Sequence, residues 1–324
     1  MGIEERELRR VLADGWRIDA AAVEYAAVGG GSYHWLVRDR EGDRRFVTVD
    51  DLDQKGWLGD TRDAVFEGLQ KAMGTALALR SRATLRFVVA PIPTLGGETV
   101  RRLGSGHAVA VFPFLDGTAG TFGQVLSQRE RAELVDMLAA LHRSTPAAAG
   151  ASVCQLKLPR RRALEAALNE LDQPWRGGPF GERVRALLAA RRDQLRLLLE
   201  SFDQLAGRVA ATGLEPVITH GEPHGGNLVR VGTELLLVDW DTVGLAPPER
   251  DLWMVVSETG EGTARYTDAT GRPVDPAALA LYRLRWALDD ISIFVRQLRS
   301  PHRHSADTEH WWAGLQHYME HVVQ

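Results

Sequence analysis

Up to about residue 115 the apolar pattern reads as strands with two helices among them; beyond it the chain turns helical. An opening stretch, about Glu4–Asp14, is charged and helix-like. "VEYAAVGGGSYHWLVRD" (23–39) reads as strand, glycine turn, strand, and "RRFVTVDDL" (44–52) as a third strand rich in β-branched and aromatic residues. Over Asp63–Leu79 the residues Val65, Leu69, Ala72, Met73 and Ala76 fall on one helical face, predicting a helix packed on that sheet. "LRFVVAPI" (85–92) and "HAVAVFPFL" (107–115) complete a predicted five-stranded antiparallel sheet with one main helix. Pro113 to Gly117, where an apolar strand gives way to "DGTAG", is the predicted hinge.

The remainder reads as mostly helical. Ser127 and Glu130 form a capping box opening a helix that runs to about His142. "TPAAAGAS" is a predicted loop, and helices are expected near Arg161–Leu171, Glu182–Leu205, Pro276–Leu298 and Thr308–Val323. No internal repeat is visible. The expected organisation is a sheet-containing region over 1–115 and a helical region over 116–324.

Composition narrows the class without naming it. A chain of 324 residues has ample length for a core, and its 44% hydrophobic and 25% charged content is ordinary for a soluble globular protein. The formal net charge of -4 gives no support for a nucleic-acid partner, whose binding domains carry a basic excess. Of 39 basic residues only Lys55, Lys71 and Lys157 are lysines, a skew that fits a GC-rich coding genome. The single cysteine, Cys154, excludes an intramolecular disulfide and suits the cytoplasm. The N-terminus has no apolar signal core, and no apolar run approaches the ~18–20 residues that span a bilayer, so no membrane association is expected.

The segment Ile218–Trp253, "ITHGEPHGGNLVRVGTELLLVDWDTVGLAPPERDLW", carries the chemistry. His220, Glu222 and Asn227 occupy a loop; a short apolar strand, Glu234–Val238, then delivers Asp239 at its end. Protein-kinase-like enzymes use His-x-Asp-x-x-x-x-Asn with a metal-binding Asp one hairpin later. The spacing matches, because four residues separate Glu222 from Asn227. His220 and His224 do not form a zinc motif, since Glu222 is misplaced and Pro223 interrupts any helix. Gly29, Gly30, Gly31 and Ser32 lie between two strands, which argues against a Rossmann or Walker loop. Between antiparallel strands such glycines let backbone N–H groups approach phosphates closely.

This segment resembles the aminoglycoside phosphotransferase family, whose loop normally reads His-Gly-Asp-x-x-x-x-Asn. "VDWDTVGLAPPERDL" is especially similar to the spectinomycin phosphotransferase branch, and weaker similarity runs through "VAVFPFLDG" and "LYRLRWALDDISIF". The resemblance implies an α+β, bilobal protein-kinase-like fold with a small antiparallel-sheet N-lobe and a mostly helical C-lobe. It implies transfer of the γ-phosphate of ATP or GTP, with Mg²⁺, to a hydroxyl of a small molecule such as an aminoglycoside- or aminocyclitol-like antibiotic. Glu222, Asn227 and Asp239 would be catalytic, with Asn227 and Asp239 as metal ligands and Asp241 a weaker metal or substrate contact. Gly29, Gly30, Gly31, Ser32, Glu67, Phe112 and Phe114 would bind the nucleotide. Glu258, Asp289 and Asp290, with Glu261, are candidates for holding a cationic acceptor. Arg250 and Asp251 resemble the buried ion pair that anchors this segment in related enzymes. A monomer or homodimer is expected.

Two departures from the pattern matter. Glu222 stands where the family has Asp, and Thr48 where kinases place the phosphate-binding Lys, whose usual partner would be Glu67. Lys55, Arg44 or Arg45 could supply the missing charge, or Mg²⁺ and the glycine turn could hold the nucleotide without it. A housekeeping metabolite kinase acting on a choline-, sugar- or amino-alcohol-type substrate, and a degenerate kinase-fold small-molecule-binding protein, remain alternatives.

Overall fold

A computed structural model of the chain describes residues 3–28, 31–257 and 260–322. In chain order its elements are α1 (Glu5–Trp16), β1 (Ala20–Ala26), β2 (Ser32–Asp39), β3 (Arg44–Asp51), α2 (Arg62–Ser81), β4 (Arg101–Leu103), β5 (His107–Pro113), β6 (Thr118–Ala119) and α3 (Gln128–Arg143). After them come α4 (Arg161–Asn169), α5 (Gly181–Ala190), α6 (Arg192–Ala211), β7 (Val217–Thr219), β8 (Leu228–Val231), β9 (Glu234–Leu237) and β10 (Gly244–Ala246). Helices α7 (Glu249–Leu252), α8 (Thr263–Thr270), α9 (Pro276–Arg299) and α10 (Ala306–His321) complete the chain. The expected class holds: a small antiparallel sheet is followed by a mostly helical remainder. Among the described residues no helix is long and apolar enough to cross a membrane.

The chain divides into two compact units, Met1–Cys154 with Glu215–Val274, and Gln155–Leu214 with Asp275–Gln324. In the first, the five strands run in the order β1-β2-β3-β5-β4, all antiparallel. Strand alternation splits their side chains between two cores. Val47, Val49, Val109 and Val111 point to one face, where Leu8 and Leu12 of α1 cover them. Ala108 and Ala110 point to the other, and their small size admits Val65, Leu69 and Met73 of α2. Thr48 and Asp50 alternate with Val47 and Val49, so they belong to that second face of β3.

One predicted strand is not in the sheet. The fourth strand is Arg101–Leu103, whereas 85–92 runs beside β9 instead. Phe87 O accepts from Leu237 N at 2.8 Å, and Val89 N donates to Leu237 O at 3.1 Å. Pro91 and Pro93 lack the N–H groups that a central ladder needs, which explains the departure. The segment thereby braces the strand that leads to Asp239.

Helix α3 begins at the expected capping box: Ser127 Oγ accepts from Glu130 N at 3.3 Å, and Glu130 Oε2 accepts from Ser127 N at 3.0 Å. "TPAAAGAS" opens with a 3₁₀ turn at Thr145–Ala148 rather than being loop throughout. The second unit is a helical core of α4, α5, α6, α9 and α10, built on Leu164, Phe180, Leu195, Leu281, Ile291 and Leu315. The single helix expected over Glu182–Leu205 is two, broken at Arg191 (φ -120°, ψ 13°).

Candidate active site

The loop between β7 and β8 is held from beneath by a buried polar frame. Asp251, fully buried, accepts from the backbone N–H groups of His220 (2.8 Å) and Gly221 (2.6 Å) and lies 3.0 Å from His142 Nε2. Arg250 donates to Thr219 Oγ1 and to Thr242 O, both at 2.8 Å. The two residues expected as an ion pair are both buried, and each grips the loop in its own way. Gly221 sits at φ +104°, where a Cβ would fall 2.3 Å from Arg250 Nη2, so a glycine is required there. His220, fully buried against Trp240, meets Val238 O through Nε2 (2.9 Å) and accepts from Glu222 N through Nδ1 (3.2 Å). Burial drives its pKa down to about 4 against the opposing charge of Asp251, so the ring is neutral with its proton on Nε2.

Above this frame the three residues of the motif are linked through backbone. Asn227 Nδ2 donates to Glu222 O at 2.9 Å, and Val238 N donates to Asn227 O at 3.0 Å. The amide nitrogen is thus committed and Asn227 Oδ1 remains as a hard oxygen donor. Asp239 follows at φ +65°, a left-handed conformation uncommon for a side-chain-bearing residue and typical of strained functional sites. Asp239 is exposed to solvent, but desolvation by the protein around it, then the negative charge of Asp241, raises its pKa, with Lys55 opposing and Glu222 adding to the rise. A carboxylate so crowded by negative charge is a place where a cation is welcome.

The donor set therefore fits a divalent ion. Among the described residues no three His, Cys, Asp or Glu form a ready metal cage. Mg²⁺ does not need one, because it is bound by one or two protein carboxylates together with substrate phosphates. Asn227 and Asp239 are the residues that would hold it.

Lys55 occupies the centre of the acidic group. It is only 3% exposed, and its Nζ lies 3.0 Å from Asp50 Oδ1 and 2.5 Å from Asp241 Oδ2. Burial works against its charge, but Asp241, Asp50 and Asp239 together outweigh burial and raise its pKa, so it is an ammonium at any ordinary pH. Asp50 Oδ1 also accepts from Ser32 Oγ at 2.6 Å, tying this cluster to the end of the glycine turn. Asp241, expected as a weaker metal contact, is thus a lysine partner.

The other predicted residues divide. Gly29, Gly30 and Glu258 lie outside the described residues. Gly31 has φ +86° with open space around its Cα, as a phosphate-approaching turn needs. Phe112 packs partly buried on the α2 core, and Phe114 lies under the Arg44 guanidinium at 3.5 Å. Glu67 is exposed on α2: it is two residues from both Val65 and Leu69, which places it on the helix face opposite the one they bury. Thr48 is 3.2 Å from His34 Nδ1. Glu261 is exposed, its N–H bonded to Ser257 Oγ. In the second unit Asp289 is paired with Arg160 (2.8 Å), and Asp290 accepts from Tyr318 OH (2.7 Å) with its pKa raised by burial. A cavity of about 360 Å³ in that unit, lined by Phe180, Arg183, His304 and Trp312, includes none of the predicted site residues.

Comparisons with known proteins bear on the family and the fold. A family model for the phosphotransferase enzyme family matches residues 25–292. No curated protein matches the chain significantly. Among solved structures, a spectinomycin phosphotransferase in complex with ADP and spectinomycin superposes with a TM-score of 0.75 at 16% identity, covering 98% of this chain and 95% of its own. An amicoumacin kinase in complex with AMP-PNP, Ca²⁺ and Ami gives 0.61 at 15% identity, covering 99% and 93%. A microcompartment-associated aminopropanol kinase gives 0.58 at 17% identity, covering 98% of both chains. At such identities the likeness shows the fold.

Proposed function

The chain belongs to the phosphotransferase enzyme family, and from that premise we propose that it moves the γ-phosphate of ATP or GTP to a hydroxyl of a small molecule. The observation that carries this is the backbone linkage Glu222–Asn227–Val238, which brings the motif's loop against the strand end bearing Asp239. The acceptor hydroxyl oxygen forms the new bond to phosphorus, the nucleoside diphosphate leaves, and the hydroxyl proton passes to the Glu222 carboxylate or is aligned by it. Glu222 is one methylene longer than the family's Asp; its backbone N–H, bonded to the neutral His220, sets the stem from which it reaches. Asn227 and Asp239 hold Mg²⁺, which supplies charge neutralisation at the phosphates when bound. Residues 1–115, with the glycine-rich stretch Gly29–Ser32, bind the nucleotide, and the reaction takes place in the cytoplasm.

An antibiotic of the aminoglycoside or aminocyclitol class is the acceptor we favour, because the first of the similar structures contains spectinomycin. An amino-alcohol metabolite is the second reading, favoured by the likeness to an aminopropanol kinase. Incubating the protein with Mg²⁺ and ATP or GTP against a panel of both acceptor types, and following phosphorylated product by mass spectrometry, tests the reading. Glu222→Gln should lower turnover of the acceptor found by about 10²–10⁴-fold while leaving nucleotide affinity nearly unchanged. Equal rates for Glu222→Gln and wild type would remove Glu222 from the chemistry.

A further inference from the structure

Thr48 cannot supply the positive charge that a nucleotide's α/β-phosphates call for, and β3 carries no lysine. Arg44 and Arg45 stand at the far end of β3, about 16–20 Å along the strand from Asp50 at ~3.3 Å per residue. There Arg44 stacks on Phe114, and Arg45 pairs with Asp43 at 3.1 Å. Beyond β3 the chain turns sharply back. Leu52 N bonds to Gly106 O, Gln54 N to Asp51 O, and Leu58 N to Lys55 O. The loop then lies directly on α2 at Gly68, where a Cβ would come 2.6 Å from Leu58 O. A glycine in mid-helix is unfavourable in itself, and here it is what lets the loop backbone seat against the helix. The result is a fixed loop that returns Lys55 to the β3 face shared by Thr48 and Asp50.

We propose that Lys55 is the cation that binds the donor's phosphates, delivered by this loop in place of a strand lysine at position 48, and that Asp50 is the carboxylate that positions it. The assignment rests on the phosphotransferase reading. A buried lysine held by two carboxylates contributes little to stability on balance. Asp50, 1% exposed, even leaves Oδ2 without a hydrogen-bond partner. Such an arrangement, beside Asp239 and tied through Ser32 to the glycine turn, is characteristic of a functional site. Of the three N–H donors on Nζ, two go to Asp50 and Asp241. Lys55 meets a phosphate oxygen with the third, or by exchanging Asp241 for it, while Asp50 keeps the ammonium in place. Asp50 thereby takes the part that the resemblance gives to Glu67.

Calorimetric titration of the full-length protein with the Mg²⁺ complexes of AMP-PNP and GMP-PNP, and with adenosine and guanosine, tests this. Lys55→Met should weaken the preferred nucleotide by about 10- to 150-fold, the worth of one charge-assisted hydrogen bond, and leave the matching nucleoside unchanged. Adding Thr48→Lys to Lys55→Met should recover most of that loss, because the new lysine sits two residues from Asp50 on the same strand face. The double variant also restores a cation to Asp50 and is the one to read if Lys55→Met alone does not fold. Wild-type nucleotide affinity in Lys55→Met, equal loss of nucleoside and nucleotide, or a folded double variant that binds no nucleotide would overturn the assignment. Wild type binding neither nucleotide complex would instead take down the phosphotransferase reading beneath it.

Discussion

Asp239 combines two costs, a left-handed backbone and a carboxylate whose charged form is disfavoured by desolvation and by Asp241. Asn tolerates the same backbone and lacks the charge. Asp239→Asn should therefore lower kcat by at least about 10³-fold, through loss of metal-borne charge stabilisation. Its Tm should equal or exceed that of wild type, as is usual when a strained functional charge is removed. A variant that is destabilised and active would contradict both parts. His220 makes a separate, pH-dependent prediction. Its folded pKa of about 4 lies below the 6.5 of an unfolded histidine, so between those values the unfolded chain binds more protons. Stability should fall as pH drops from about 6.5 toward 4, by roughly 3 kcal/mol if the whole shift is expressed. Partly buried His224, lowered in the same direction, adds to the trend. Urea denaturation from pH 7 to pH 4.5 measures it. His220→Gln, which keeps polar contacts without titrating, should flatten the profile, and an unchanged slope would exclude His220 as its source.

At the scale of elements, the β7–β8 loop depends on Gly221. Gly221→Ala would strain a backbone at φ +104° and drive the Arg250 guanidinium off its bonds to Thr219 and Thr242. The expected loss is roughly 2–4 kcal/mol, combining backbone strain with a disturbed charged hydrogen bond. Equilibrium denaturation reads it, and a loss under 1 kcal/mol would mean that the loop does not depend on Arg250. How far the elements could be read from sequence follows the range of the interactions. Helix α2 was legible because Val65, Leu69, Ala72, Met73 and Ala76 all bury as their spacing predicts, and α3 because its capping box is local. Strand β4 was not, since two of its three residues are arginines and only Leu103 enters a core. The stretch 85–92 misled because the backbone of Phe87 and Val89 bonds to Leu237 of β9, about 150 positions further along. Spacing within one segment is what proposes Glu222, Asn227 and Asp239 as site residues. The link from Lys55 to Asp241 spans 186 positions, and no local pattern encodes it.

For the molecule as a whole, every described residue of the proposed donor and metal site lies in the unit formed by Met1–Cys154 and Glu215–Val274. Asp289 and Asp290 belong to the other unit and are already engaged there by Arg160 and Tyr318. Nucleotide binding is thus a test of the first unit's chemistry that needs no knowledge of the acceptor. Because a ligand that binds only the folded state stabilises it, a hundredfold excess over Kd should add about 2.7 kcal/mol to unfolding. The most direct measurement is calorimetric titration of ATP and GTP into wild type, in Mg²⁺ and again in EDTA. The proposed function predicts saturable binding of at least one nucleotide in Mg²⁺ and much weaker binding in EDTA. No binding of either nucleotide in Mg²⁺, or binding indifferent to EDTA, would contradict it.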